Sequence, residues 1–235
     1  MSILFEPYVV IKFFHIVMAG IWLGMDVGVY TAAKKLRDPN LSIETRASMG
    51  KLAGFLDMGP RSALIILLML GITLTFLGGW GFKDTYGSNL AILASIFGIV
   101  WLAGVWHQYW VDHPNLGEKR PEKHLHFQKV FKNIDLLMRI IITGILAITA
   151  ILSLSGGGPI EAYWLSVKLI LFSIIVACGI GIRIYIPQAR RAISDILENG
   201  STPEREAKLS INRGKSLFFV KSIWLLVACI IWISV

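Results

Sequence analysis

The sequence predicts an all-α fold: a single integral membrane domain over residues 1–235, a polytopic bundle of six transmembrane helices with both termini outside. Three observations predict it. Of the 235 residues 55% are hydrophobic and only 16% charged, with a mean hydropathy of +0.65, whereas soluble domains carry about 25% charged residues. The apolar residues fall into six runs, 8–33, 53–78, 88–111, 131–154, 160–187 and 215–234, each near the ~20 residues that cross a bilayer as a helix. The charged residues gather between those runs, on alternate connections.

The first run exceeds the apolar core of a signal peptide, lacks a basic leader and has no small-residue cleavage site, so it is expected to remain in the mature chain. It carries two stripes. His15, Met18, Trp22 and Asp26 recur at steps of three, four and four, and Gly20, Gly24 and Gly28 at steps of four. The glycines predict close helix packing of the small-xxx-small kind. For His15 two readings stand, a hydrogen bond to a neighbouring helix or a ligand role.

The second run opens with Asp57 and Arg61, and the fourth with Asp135 and Arg139 at the same spacing. Either the hairpins are duplicated, or two helix starts have converged on the same pairing, since Asp favours a helix N-terminus and i,i+4 ion pairs are stabilising. The third run brings His107 near its far end, the fifth Lys168, Cys178 and Arg183, and the sixth Lys221 and Cys229. Each cysteine sits inside an apolar run without CxxC spacing, which predicts small buried thiols and no disulfide framework. The connections at 79–87 and 155–159 are short and Gly-rich, so runs two and three, and runs four and five, should be antiparallel neighbours.

The net charge of +8 would raise nucleic acid as a partner in a soluble protein. Its placement points to a membrane instead. Residues 34–51, 113–132 and 190–215 hold sixteen Lys and Arg, while the two opposite connections hold one, Lys83. Basic loops stay in the cytoplasm beside anionic lipid, which predicts a multi-pass protein of the bacterial cytoplasmic membrane. Trp80, Tyr86, Tyr163 and Trp164 then lie near the outer surface and Trp106, Tyr109 and Trp110 near the inner one, as interfacial belts do. His113, His124 and His126, with Pro114, Glu118 and Glu122, are expected to form a solvated loop.

At a rise of about 1.5 Å per residue, His15 and Lys168 both lie roughly 10–12 Å below the outer edge. They share that level although 153 positions separate them in sequence. His107 lies about 18 Å from His15 in depth, too far for both to hold one metal. The inner half contains Asp26, Asp57, Arg61, Asp135, Arg139, Arg183 and Lys221, three acids and four bases. Mutual pairing is expected, because an uncompensated charge in lipid is costly. The surplus base would meet a headgroup phosphate or a cofactor carboxylate.

The string Lys12-Phe13-Phe14-His15-Ile16-Val17-Met18-Ala19-Gly20-Ile21-Trp22-Leu23-Gly24 and the string Trp164-Leu165-Ser166-Val167-Lys168-Leu169 resemble the membrane-type (HemJ-like) protoporphyrinogen oxidases and the related copper-resistance D-like membrane proteins. The match covers two helices, and the rest of the chain only in hydropathy. The six runs are more than that oxidase family is expected to have, and the resemblance carries nothing over for His107 and the Asp-xxx-Arg pairs. The resemblance implies a b-type haem protein with a redox role, His15 as the iron ligand and Lys168 in the same cofactor site, with Met18 and Trp22 beside them. It also implies a quinone or porphyrin-type partner. Lys168 would either ligate iron as a deprotonated amine or pair, charged, with a propionate.

Two other classes of function stay open. A copper or small-solute transporter would want clustered Met, Cys or His for Cu(I), and seven scattered methionines form no MxxM series, although Met18 and Met25 flank the neighbourhood of His15. A structural or assembly subunit would use its polar residues only to hold helices together. A homo-oligomer is compatible with any of the three. Soluble catalytic signatures such as GxSxG, HExxH or a phosphate-binding glycine loop do not occur.

Overall fold

The computed structural model describes residues 6–81, 87–113 and 119–234. Lys83, Tyr86, Pro114, Glu118 and Val235, and the side chains of Arg213 and Lys215, lie outside the described residues. Seven helices follow in order: α1 (Pro7–Leu36), α2 (Ile43–Leu56), α3 (Met58–Gly78), α4 (Gly87–Asp112), α5 (Glu122–Leu154), α6 (Tyr163–Asn199) and α7 (Pro203–Ile233). Among the described residues there is no strand, only an isolated bridge between Gly81 and Ile160. Six segments are long and apolar enough to cross a membrane, with α2 and α3 counted together as Ile43–Gly78. The bilayer environment therefore follows from the helices themselves.

The second apolar run is not one uninterrupted helix. Pro60, in the first turn of α3, has no N–H to give to the Leu56 carbonyl, so the α-ladder is interrupted at Asp57. Asp57 keeps helical angles (φ −62°, ψ −18°), and α3 resumes at once. Helices also run well past the apolar boundaries, α5 starting at Glu122 rather than 131 and α6 ending at Asn199 rather than 187. Much of the basic sequence expected in loops is thus helical. A helix satisfies its own backbone in water as in lipid, so the ladder continues where hydropathy falls. Ser42 caps α2 and Thr202 caps α7, each accepting a backbone N–H three residues on.

Consecutive spans pack side by side in the order α1, α3, α4, α5, α6, α7, so both pairs of helices expected as neighbours are neighbours. Gly79, with φ +69°, ends α3 in the left-handed turn that only glycine adopts freely. Gly81 approaches the Pro159 carbonyl, and the amide of Glu161 donates to the Trp80 carbonyl at 3.2 Å. These contacts join the α3–α4 and α5–α6 connections, so this end is called the hairpin end and the opposite one the basic end. One apolar core runs through the bundle, with Trp22, Met58, Ile65, Trp101, Ile175 and Val227 among its buried members. The outward faces carry large apolar side chains such as Phe13, Val100, Ile148 and Leu225, as lipid contact demands.

The glycine stripe of α1 does not pack as the sequence predicts. A side chain at Gly20 or Gly24 would meet nothing, and Gly28 alone faces a neighbour, Leu56. Close approach is supplied elsewhere: Gly98 and Gly104 of α4 receive Met69 and Phe131 where a Cβ would collide. Cys178 and Cys229 are free and half-buried.

Candidate functional site

At the hairpin end, α1 and α6 bring His15 and Lys168 close enough for their charges to interact. His15 lies over Gly71 of α3, its Cε1 3.6 Å from where a Cβ on that glycine would stand. The ring is half-buried, and its Nδ1 is buried without a hydrogen-bond partner. Lys168 rests its Nζ 4.8 Å from the centre of the Trp164 ring. Trp164 meets Trp80 edge-on at 5.0 Å, Trp80 meets Tyr8 at 5.7 Å, and Lys12 sits 5.9 Å from the Tyr8 ring. Three aromatic rings from α1, the end of α3 and α6 thus form a collar with an ammonium at each end. Among the described residues no carboxylate lies at ion-pair distance from Lys12 or Lys168, whose charges reach one another.

Met18 and Trp22 follow His15 down the same face of α1 and pack into the apolar core, Trp22 almost completely buried. Met25, the other methionine near His15 in sequence, lies against Gly59. Among the described residues no three His, Cys, Asp or Glu come together. Ser166, one turn into α6, is buried with an unpartnered Oγ. Sequence reading missed it, since a lone serine in an apolar helix carries no signal of its own.

Nearer the basic end a second set of polar groups is paired. Asp135 is fully buried and accepts from Trp101 Nε1 at 2.6 Å, from Arg139 Nε at 3.2 Å and from Arg183 at 2.5 Å. Asp57 pairs with Arg61, both about three-tenths exposed, and the Arg61 charge reaches Arg139. Arg139 keeps one buried nitrogen without a partner and stacks 5.2 Å from the Trp101 ring. The expected mutual pairing holds for Asp57 and Asp135. It fails for two residues. Asp26 takes its bond from the Trp224 indole at 2.5 Å, and Lys221 is exposed on α7. Asp135 also sits well inside α5 rather than at a helix start.

His124 and His126 belong to the first turns of α5 rather than to a loop. His107 Nε2 and His124 Nδ1 face one another at 2.9 Å. His113 stacks on Tyr109 and bonds its carbonyl at 3.0 Å. No family model, no curated protein and no solved structure matches this chain.

Proposed function

We propose that this chain is an integral membrane b-type haem protein with a redox role, its cofactor held at the hairpin end by His15 and Lys168. The observation that carries the reading is one imidazole with a stranded Nδ1 beside an ammonium that meets no acid among the described residues. Such a donor set fits haem b. A single His would hold the iron, and a cation in the same site would suit a propionate. When bound, haem b supplies a one-electron iron couple.

This chain's own residues do the rest. His15, half-buried over Gly71, would offer a ring nitrogen to the iron. Lys168 orients an anionic edge by its charge. Met18 and Trp22 close the α1 face toward the core and exclude water. Trp80 and Trp164 offer flat apolar surface to a porphyrin or a quinone that exchanges electrons there. The basic end faces the cytoplasm and both termini face outside, on the strength of sixteen Lys and Arg against one. On that orientation the site opens to the outer leaflet of a bacterial cytoplasmic membrane.

An absorption spectrum of the purified protein, expressed with ample haem, tests the reading. A Soret band that shifts on reduction is expected, lost in His15→Ala and kept in His107→Ala. A colourless wild type, or a band that depends on His107 alone, overturns it. A reporter inserted near Asn199 should read as cytoplasmic and one fused after Val235 as external.

A further inference from the structure

We infer that His107 and His124 form a chelating pair for a divalent transition-metal ion at the corner between α4 and α5. The two imidazoles come from different helices, one near the end of α4 and one in the first turn of α5. Their facing nitrogens stand 2.9 Å apart. Metal–imidazole bonds of about 2.0–2.1 Å meeting at a right angle place two nitrogens about 2.9 Å apart. That is the cis spacing of a tetragonal or octahedral ion such as Cu2+ or Ni2+.

The same separation suits a neutral hydrogen bond, but that bond alone is a poor reason for the pair. His107 Nδ1 is buried and bonded to nothing. A neutral hydrogen bond is worth about what one stranded buried nitrogen costs, so the contact does not hold itself together. Coordination adds the stabilisation that the hydrogen bond lacks. On binding, the ring that donates the shared proton gives it up to water and takes one up at its other ring nitrogen, so both imidazoles stay neutral and both facing lone pairs turn to the metal.

The surroundings define what else the ion would meet. The Phe127 ring lies 4.9 Å edge-on from His107, and Trp110 lies 5.7 Å from His107 and 5.2 Å from His124. These rings fix the imidazoles from both sides. No third His, Cys, Asp or Glu joins them among the described residues. His113 turns toward Gly54 of α2, and His126 is exposed. The protein therefore supplies two adjacent ligands and water the others. Such a site binds reversibly, and it is independent of the reading at His15.

Cu2+ titrated into the detergent-solubilised full chain, carrying a tag without histidine and followed by electron paramagnetic resonance, tests the inference. Nitrogen hyperfine structure from two imidazoles is expected. His107→Ala and His124→Ala should each weaken that species by more than about 100-fold, beyond the roughly 10–100-fold that losing only a supporting group costs. His126→Ala and His113→Ala should leave it unchanged. His124→Gln keeps a hydrogen-bonding group facing His107, so it should preserve thermal stability yet lose the signal. A signal that survives in His107→Ala and His124→Ala, or a wild type with no two-nitrogen species, overturns the proposal.

Discussion

Near the basic end Asp135 gathers an indole and two guanidinium groups and is fully buried, whereas near the hairpin end His15 and Lys168 meet no acid among the described residues. Both levels hold ionisable groups at a depth where lipid offers them nothing. In the first, Arg139 and Arg183 share one carboxylate inside the chain, and the indole of Trp101 completes it. In the second, the chain leaves an imidazole nitrogen stranded and two ammonium groups facing an aromatic collar. A paired network is what a bundle needs to hold its helices in register. An unpaired one has no such use, and that is why the haem reading is placed at His15 and Lys168 and not at the arginines.

The largest expected effect follows from breaking the paired level. Asp135→Ala leaves Arg139 and Arg183 without their shared acid, and removing one partner of a buried pair costs about 3–5 kcal/mol. The variant should lose yield and melt far below wild type in detergent, whether or not any cofactor is present. Asp135→Asn, which keeps an acceptor for Trp101, should fall between the two. Full stability in Asp135→Ala would show that the network does not hold α4, α5 and α6 together.

His15→Ala is expected to do the reverse. The side chain makes no hydrogen bond, so fold and melting temperature should change little once haem is absent, while the Soret band disappears. A loss of stability as large as that of Asp135→Ala would make His15 a structural residue and erase the contrast between the levels. Lys168→Gln sharpens the test. It should shift the band if the amine ligates iron, and should leave the band but weaken retention of an anionic cofactor if the amine stays charged.

Some of this was legible in the sequence for plain reasons. Six apolar runs mark six spans, because nothing else keeps so many Leu, Ile and Phe side chains in lipid. The shared level of His15 and Lys168 followed from counting rise per residue. What stayed hidden depends on which helix face meets which neighbour. Trp224 and Asp26 are 198 positions apart, and no local pattern joins them. Trp101 reads as an ordinary apolar residue until α5 presents Asp135 to it. The helical extensions at the basic end were hidden for another reason: hydropathy reports the medium around a helix, while the helix itself ends where its ladder of hydrogen bonds ends. The stripe of glycines in α1 misled, since spacing alone does not say that a partner lies opposite.

A smaller effect is expected at Gly71, which gives His15 its place. A Cβ there stands 3.6 Å from the ring, an ordinary contact, so Gly71→Ala should be tolerated with an unchanged spectrum. Gly71→Leu would push its branches into the space the imidazole occupies. The Soret band should weaken or shift while Lys168 and the collar stay as they are. An unaltered band in Gly71→Leu would mean that His15 does not bind from this position.

The smallest effect is expected from the partly open pair. Asp57 and Arg61 are each about three-tenths exposed, against a fully buried Asp135, and they stand at the break between α2 and α3. Arg61 can turn its guanidinium toward the lipid–water boundary when its partner is lost, as a long side chain does. Asp57→Ala should therefore cost about 1 kcal/mol or less, several times below Asp135→Ala, with the cofactor spectrum untouched. Equal losses in the two variants would mean that burial does not separate the pairs, and that their shared Asp-xxx-Arg spacing reflects one duplicated device. The unequal losses expected here fit two pairings that resemble each other in sequence and differ in the work that burial gives them.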